Sequence, residues 1–474
     1  MVEASPQRAN MGFIGAIVAV ATIGGFLFGY DSGAVNGTQD GLTQAFHLVP
    51  GSWSPSNGLG FTVASLLIGC FTGAFFAGRL ADLIGRRNTM MLAAALFLVG
   101  ALVQGAAPSQ IIFVIARICG GMAVGAASVL SPAYISEVAP AEIRGRLTTV
   151  QQIMIITGLT AAFVVNYFLA QGAGVSTARY WGGIEAWRWM FLMQAVPAAI
   201  FLVALFMIPE SPRYLVSKGQ GEKAESVLTS LFGASVAKTK LKEIRATFAE
   251  DHRPRLSDIK SPNGGIRKIV WVGIMLAAFQ QFVGINVIFY YGATLWQLAG
   301  FSESQSLAIN IVSGAVSIAA CFGTIAVIDK IGRKPLLLIG SAGMAVTLFA
   351  MVYAFSHGAL DAKGNLVLSK DLGMIAVVAA NLYVIFFNFS WGPVMWVMLG
   401  EMFPNQIRGS ALAVSGFVQW FANFLISFSF PVMAAKLGLT ISYTFYGVCA
   451  VISFFLVKSL VHETRGKELE QMEG

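Results

Sequence analysis

Long apolar runs alternate with short polar connections along the whole chain. A transmembrane helix needs about 20 mostly apolar residues to cross a hydrocarbon core of about 30 Å. Twelve runs reach that length, and we predict twelve spans. Their predicted bounds are 11–36, 58–79, 88–107, 110–136, 147–171, 189–208, 268–297, 304–328, 335–357, 372–400, 408–432 and 439–461. The first run is too long for a signal peptide and carries no convincing cleavage site, so we predict it as span 1.

The composition supports an all-α membrane protein. Of the 474 residues, 56% are hydrophobic and 11% are charged, whereas soluble domains carry about 25% charged residues. The net charge of +8 would fit nucleic-acid binding, but the basic residues follow the spans. Of the 31 Lys and Arg residues, Arg117 lies well inside a span, and four (Arg79, Lys268, Arg408 and Lys458) lie within three residues of a predicted span end. Five (Arg179, Arg188, Lys363, Lys370 and Lys436) lie in connections from odd to even spans. The positive-inside rule therefore predicts a multi-pass protein with both termini in the cytoplasm and no nucleic-acid partner.

The longest polar connection divides the chain into two halves. We predict a first six-helix bundle over 1–208, a cytoplasmic linker over 209–267, a second bundle over 268–461 and a cytoplasmic tail over 462–474. In the linker, segments 222–231 and 240–248 place apolar residues three and four apart, which predicts short amphipathic helices. A solvated linker with some helix fits this pattern equally well.

Three short motifs recur in the same order in both halves, each at the predicted cytoplasmic face. DLIGRR at 82–87 is repeated as DKIGRK at 329–334, EVAPAEIRG at 137–145 as EMFPNQIRG at 401–409, and, more weakly, PESPR at 209–213 as HETRG at 462–466. A repeat of six spans keeps its orientation, so the halves should be related by a pseudo-twofold axis along the membrane normal. That arrangement suits alternating access about a site near the midplane.

The repeated motifs place acids and arginines at helix ends on the cytoplasmic side. Such groups could form ion pairs between the bundles that shut an inner gate in the outward-open state and separate in the inward-open state. Alternatively, they only end helices at the interface. The predicted gate residues are Asp82, Arg86, Arg87, Glu137, Arg144, Glu210, Arg213, Asp329, Arg333, Glu401, Arg408 and Glu463.

Side-chain amides and tryptophans inside the spans predict a site for an uncharged polar solute. A sugar needs hydrogen-bond donors and acceptors for its hydroxyls and aromatic contact for its apolar ring faces. The candidates are Gln151, Gln152, Gln280, Gln281, Asn286, Gln419, Asn423, Trp391, Trp396 and Trp420. A single amide could instead only join two membrane helices.

Together with the segments PESPRYL (209–215) and QQFVGIN (280–286), these motifs resemble the sugar porter family of the major facilitator superfamily. The similarity is greatest to bacterial proton-coupled glucose and xylose symporters and extends over nearly the full length. The resemblance implies the twelve-helix fold and monosaccharide transport. It places sugar contacts at Gln152, Gln280, Gln281, Asn286, Trp396 and Gln419, with aromatic walls at Phe28, Tyr290, Phe387 and Trp420.

Several sequence features refine the prediction of that site. Gln281 and Asn286 lie five residues apart, about 140° around a regular helix, so we predict a break at Gly284 that lets both reach the cavity. Gly392 and Pro393 predict a kink just before Trp396. Ser317 stands where many members of the family have an asparagine, so one sugar hydrogen bond should be shorter, water-mediated or absent. His462 also departs from the family pattern, without an expected effect on substrate choice.

Asp31 and Arg117 stand out as charges inside spans, where an ionisable group costs several kcal/mol and predicts function. From the predicted span ends, Asp31 lies roughly 8 Å and Arg117 roughly 10 Å below the outer edge, so the two should pair. We hypothesise that a proton from outside neutralises Asp31, weakens the pair and permits closure over the sugar. The resemblance agrees, because proton-coupled members carry aspartate there and facilitative mammalian glucose transporters carry asparagine. A permanent structural ion pair is the alternative.

We therefore predict a proton-coupled monosaccharide symporter of the cytoplasmic (inner) membrane, favouring glucose, that works as a monomer in the lipid bilayer. An uncoupled sugar uniporter is the alternative, and a non-transporting sugar sensor is a further one. The four cysteines occupy separate spans and the four histidines are scattered, so we predict no metal site, no cofactor and no catalytic residues. We do not predict an enzyme.

Overall fold

The computed structural model describes residues 9–140, 144–250, 255–404 and 406–466; the side chains of 144–148 and 249–250 lie outside the description. Within these ranges, twelve helical segments are long and apolar enough to cross a membrane, which confirms the predicted fold. The unbroken spans are Met11–Asn36 (span 1), Leu59–Ile84 (2), Arg86–Ala106 (3), Gln110–Val138 (4), Arg144–Ala173 (5), Glu303–Ile331 (8), Arg333–Ser356 (9), Arg408–Lys436 (11) and Gly438–Leu460 (12).

The other three spans each consist of two helices. Span 6 comprises Ala186–Leu192 and Ala195–Leu205, span 7 comprises Lys268–Phe282 and Ile285–Leu298, and span 10 comprises Lys370–Phe389 and Trp391–Met402. The connections on the face opposite the linker, called the outer connections after the predicted orientation, carry a helix at Gln39–Phe46, a 3₁₀ turn at Trp181–Gly183 and an antiparallel pair of strands, Ala359–Leu360 and Leu366–Val367. The linker holds Pro212–Ser217, Gly221–Phe232, Ala234–Glu250 and a 3₁₀ turn at Leu256–Ile259, so both predicted amphipathic helices are present.

The predicted break at Gly284 is confirmed. Gly284 has φ of +83°, in the left-handed region that glycine adopts most readily. An added Cβ would also lie 2.7 Å from the ring of Tyr446. Both the conformation and the space at this position therefore require glycine.

The kink predicted at Gly392 and Pro393 lies instead at Ser390, where φ is −131° and ψ is −88°. A proline ring clashes with the carbonyl four residues earlier, and for Pro393 that residue is Phe389, the last of the first helix. Span 6 follows the same rule, because Pro197 lies four residues after Met193, where that span is interrupted. The position of the break is therefore set by the carbonyl that the ring displaces.

Spans 2 and 8 extend further than predicted, to Ile84 and Ile331. One glycine then separates each from the next span: Gly85 with φ of +101° and Gly332 with φ of +97°. The acids of the first repeated motif therefore lie on helices and not in a connection.

Glycines bring the spans of the first half into close contact. A Cβ on Gly69 would lie 2.1 Å from the carbonyl oxygen of Ile118, and one on Gly121 would lie 1.9 Å from that of Leu66. Small residues at such crossings let membrane helices approach closely, where packing holds them together. The two halves meet mainly where span 2 packs on span 11 and span 5 packs on span 8.

Candidate substrate and proton-coupling site

Polar side chains of spans 7 and 11 form a continuous chain of hydrogen bonds. Gln419 and Gln281 both donate from Nε2 to Oε1 of Gln280, each at 3.3 Å. Asn286 donates from Nδ2 to Oε1 of Gln281 and to Oδ1 of Asn423, the latter at 2.9 Å. Asn423 donates in turn to the hydroxyl of Tyr290 at 3.1 Å. The structure thus brings together four of the six predicted sugar contacts and one predicted aromatic wall, Tyr290. Asn423, a candidate from the amides of span 11, joins them.

The break in span 7 makes this arrangement possible. Gln281 belongs to the helix before Gly284 and Asn286 to the helix after it, and their side chains are bonded to each other. Gln280 is held from a second side, because its Nε2 donates to the carbonyl oxygens of Trp391 and Gly392 at 3.0 and 3.2 Å. The two broken spans therefore fix each other's position around the amides.

The remaining predicted contacts differ in how deeply they are buried and in the side chains that they meet. Phe28 of the first half meets Trp420 of the second edge to face, with ring centroids 5.4 Å apart. Trp396 is 39% exposed, and Gln152 is half-buried on span 5. Phe387 is buried, and its ring lies 3.4 Å from a Cβ built on Gly392. Among the predicted aromatic walls, Phe28 and Trp420 thus contact each other across the halves.

Two positions have structural partners instead of facing a substrate. Trp391 is fully buried and donates from Nε1 to Oγ of Ser341 at 2.8 Å. Ser317, also buried, donates to the carbonyl oxygen of Ser313 and accepts from Nδ2 of Asn388 at 3.1 Å. An asparagine of span 10 thus bonds to the serine that replaces the family's asparagine of span 8.

Asp31 and Arg117 meet as the depth argument predicted. Both are buried, and Nη1 of Arg117 lies 3.4 Å from each carboxylate oxygen. This is longer than the roughly 2.7–2.9 Å of a strong charge-assisted hydrogen bond. The guanidinium also donates to the carbonyl oxygen of Val63 at 2.9 Å and to Oε1 of Gln104 at 3.4 Å. Arg117 is therefore shared among several acceptors.

Gln194 is the residue of this centre that the sequence analysis missed. Its Nε2 donates to Oδ1 of Asp31 at 3.0 Å, closer than the guanidinium. Gln104 was also missed. Both residues are single amides near span ends, and no sequence motif surrounds them. An amide at the depth of a buried charge is the signal that could have identified them.

Hydrogen bonds between the halves cluster at the outer end of the interface. Asn36 of span 1 donates to the carbonyl oxygen of Phe289 at 2.9 Å, and its Oδ1 accepts from N–H of Ala293 at 2.7 Å. A regular helix would pair those two backbone groups with each other, and Tyr291 between them has non-helical angles. Asn310 of span 8 also donates to Oδ1 of Asn36 at 3.0 Å. The outer ends of the halves are thus tied together.

Matching clusters of charge lie at the linker end of each half, called the inner end after the predicted orientation. Arg86 pairs with Asp82 at 3.0 Å and with Glu137 at 3.2 Å, and Ser211 donates to Glu137. In the second half, Arg333 pairs with Asp329 at 3.0 Å and with Glu401 at 2.8 Å, and Thr464 donates to Glu401 at 2.6 Å. These ion pairs lie within the halves. Pairs between the halves in the outward-open state remain a prediction.

The weak third repeat completes each cluster. Glu210 accepts from backbone N–H of Arg87 at 3.0 Å, and Glu463 accepts from backbone N–H of Arg333 and Lys334 at 3.1 and 3.0 Å. Partial burial opposes ionisation of Glu463, but these donors and the N–H groups of Thr464 and Arg465 outweigh it and lower its pKa.

The other predicted gate residues lie beside these clusters or outside the description. Arg213 stacks over the ring of Phe248 at 5.2 Å, and Arg408 donates to the carbonyl oxygen of Phe403 at 2.9 Å. The side chain of Arg144 lies outside the described part of the chain.

Comparison with known proteins gives concordant results. The family model "Sugar (and other) transporter" matches residues 17–474. The chain is 47% identical to a glucose transport protein of Synechocystis, over 99% of this chain and 98% of that protein. It is 38% identical to the D-xylose-proton symporter of Escherichia coli, over 98% and 96%. The xylose transporter of E. coli in an inward-open conformation superposes with a TM-score of 0.81 at 36% identity, covering 97% of this chain and 99% of that one.

These matches extend over nearly the entire chain at identities well above what the fold alone would require. The matched residues include the repeated motifs and the amides of spans 7 and 11. The predicted resemblance is confirmed, and the chain belongs to the sugar transporter family of the major facilitator superfamily.

Proposed function

We propose that this protein is a proton-coupled monosaccharide symporter that takes up glucose or a related hexose across the cytoplasmic membrane. The observation that carries the proposal is the chain of amides from Gln419 to Asn423 in a protein that also buries a carboxylate, Asp31, inside span 1. Amides donate and accept without fixed charge, which suits hydroxyl groups. The names of the relatives support transport of both a sugar and a proton, since one is a glucose transport protein and another is a xylose-proton symporter.

Substrate recognition in this proposal is divided between the halves. The second half supplies Gln280, Gln281, Asn286 and Gln419, and the first supplies Gln152 and Phe28. Oε1 of Gln419 is buried and has no partner among the described residues, so it is available to accept from a sugar hydroxyl. A ligand that contacts both halves can stabilise the occluded state and so promote the conformational change.

Proton coupling in this proposal depends on whether Asp31 binds a proton or, as a carboxylate, accepts hydrogen bonds from Gln194 and Arg117. The ionised carboxylate is held by Gln194 at 3.0 Å and by Arg117 at 3.4 Å. A proton bound from outside removes the charge, and Arg117 then keeps its bonds to Val63 and Gln104 while its attraction to Asp31 weakens. The outer ends can close once the proton and the sugar are both bound.

The inner end in this proposal opens as the outer end closes. Asn36 ties the outer ends together in this structure, while the inner clusters around Arg86 and Arg333 stay within their own halves. This combination supports an inward-facing state with the termini in the cytoplasm. Each chain holds both halves, so a monomer in the bilayer suffices.

The proposal is tested with purified protein in proteoliposomes. A pH gradient, acidic outside, should drive accumulation of labelled glucose, and uptake should make the external medium more alkaline. D31N should lose accumulation and keep exchange of sugar between the two sides. Equilibration without accumulation by the wild-type protein would establish an uncoupled uniporter instead. Competition by xylose, galactose and fructose then defines the preferred sugar.

A further inference from the structure

A hydroxyl of span 8 lies at the break in span 10. Thr324 is buried, and its Oγ1 lies 2.8 Å from the carbonyl oxygen of Phe389 and 3.2 Å from that of Asn388. These two residues end the first helix of span 10. A hydroxyl donates one hydrogen bond, and the carbonyl of Phe389 is the closest acceptor. Thr324 thus joins span 8 to span 10 at the point where span 10 loses its helical conformation.

The carbonyl of Phe389 needs a donor from outside span 10. In a continuous helix it would accept from the N–H of the residue four positions later, but that residue is Pro393, which has no N–H. Membrane helices tolerate proline when a neighbouring helix or a hydroxyl side chain satisfies the freed carbonyl. Thr324 meets this need.

Thr324 also has an acceptor within its own helix. The carbonyl oxygen of Ala320, four residues earlier, lies 3.0 Å from its Oγ1, and threonine hydroxyls in helices commonly bond in this way. The contact with Phe389 is shorter, at 2.8 Å. The hydroxyl is therefore placed to serve span 10 before it serves span 8.

The helix that begins after the break is bonded to the proposed sugar site. It comprises Trp391–Met402, and the carbonyl oxygens of its first two residues accept from Nε2 of Gln280 at 3.0 and 3.2 Å. Oε1 of Gln280 accepts in turn from Gln281 and Gln419. One residue separates this helix from Phe389, so a shift of the chain at Phe389 would be passed on to Gln280.

We infer that Thr324 is a positioning residue for sugar binding. Its hydroxyl holds the break of span 10 in the geometry that lets the carbonyls of Trp391 and Gly392 orient Gln280. The inference rests on the proposed function, in which Gln280 contacts the sugar. Thr324 acts through span 10, because its hydroxyl bonds to backbone carbonyls of that span. The alternative is that the hydroxyl only stabilises the second half and leaves the sugar site unaffected.

Two substitutions separate the hydroxyl of Thr324 from its volume. T324V keeps the shape and removes the donor, whereas T324S keeps the donor and removes a methyl group. In calorimetric titration of the purified full-length protein with glucose, the Kd of T324V should rise about fivefold, as expected for the loss of one hydrogen bond. The Kd of T324S should stay close to that of wild type.

T347V is the matched control. Thr347 is buried on span 9, and its hydroxyl donates to the carbonyl oxygen of Gly343 in the same span at 2.8 Å. The same change there removes a hydroxyl without touching span 10, so the Kd for glucose should match that of wild type. The thermal midpoint of each variant, measured in parallel, reports the loss of stability separately from the loss of affinity.

A double-mutant cycle tests whether Thr324 acts through Gln280. Q280N shortens the side chain by one carbon and withdraws its amide from the carbonyls of span 10, so it should weaken glucose binding by itself. Residues that act as a unit have non-additive effects. T324V/Q280N should therefore bind glucose as Q280N does, because the amide that Thr324 positions is already displaced.

Several results would overturn the inference. These are a lower thermal midpoint of T324V with the Kd of wild type, a Kd of T324S as high as that of T324V, or additive losses in the double variant. If T324V does not fold, T324C keeps the size of serine with a weak donor and should bind glucose less tightly than T324S; equal Kd values would be equally decisive. Wild-type protein that binds no sugar would reject the proposed function itself, and binding without proton-driven accumulation would reject only the coupling.

Discussion

Gln194 donates to Asp31 at 3.0 Å, closer to the carboxylate than any nitrogen of Arg117. A neutral amide from span 6 is thus the nearest donor to the group on which proton coupling is proposed to depend. The ion pair alone does not define the environment of Asp31.

Replacing Gln194 with leucine removes a donor that stabilises the ionised form of Asp31. Proton binding becomes easier, so the external pH at which uptake is half-maximal should rise by about one unit, since one hydrogen bond to a charged group contributes about 1.5–3 kcal/mol. Q104L should act in the opposite direction, because it removes a competing acceptor and leaves Arg117 closer to Asp31. Shifts in the same direction in both variants would contradict this account.

Asn423 links Asn286 to Tyr290 and should contribute to sugar affinity. In N423A both neighbours lose a partner, and the Kd for glucose should rise about tenfold, as expected for about 1.4 kcal/mol. Calorimetric titration of the purified protein measures this directly. S427A is the control, because Ser427 donates to Oδ1 of Asn423 at 3.2 Å without belonging to the chain of amides, and its Kd should change little.

Gly284 should be replaceable only at a cost in stability. In G284A the alanine must adopt a positive φ, and its Cβ must displace the ring of Tyr446; positive φ alone costs about 1–3 kcal/mol. The thermal midpoint in detergent should fall, and sugar affinity with it. G416A is the matched control on span 11, where an added Cβ meets nothing within 4 Å. An equal loss in both variants would show that the break is not the cause.

Asn36 should favour the outward-closed state without being needed for folding. In N36A span 1 loses its bonds to spans 7 and 8 of the second half, and labels on the outer connections should report a larger open fraction. N166A is the control, because Asn166 donates to Gly33 within the first half at 2.8 Å. That variant should lower stability and leave the open fraction unchanged, and a similar open fraction in the two variants would argue against the role of Asn36.

Glu463 should stabilise the fold in a pH-dependent manner. Its pKa is lower in the folded protein, so its contribution is present above the pKa of the unfolded chain and is lost as pH falls through the folded value. E463Q should therefore lower the thermal midpoint at pH 7, and the difference from wild type should disappear in acid. E222Q, on an exposed part of the linker, should match wild type throughout. A difference that persists in acid would assign the effect to packing.

Sequence patterns predicted the features that depend on local physics. Hydropathy located the spans, and the spacing of Gln281 and Asn286 required the break that Gly284 makes. The depths of Asp31 and Arg117 predicted their contact. The depth of Gln194 could have indicated a contact with Asp31, but the direction of its side chain depends on where Pro197 interrupts span 6. Which amides of span 11 reach span 7 also depends on how the helices rotate and pack.

The clusters around Arg86 and Arg333 each hold together the inner ends of spans that belong to the same half. Cutting the contacts between the halves would leave both clusters whole, since Glu137 and Glu401 are satisfied from within. Each half can therefore turn as a preassembled body, and no span has to lose and regain its partners within its own half during a cycle. The contacts that change during transport would then be confined to the interface between the halves, and the packing within each half would stay the same.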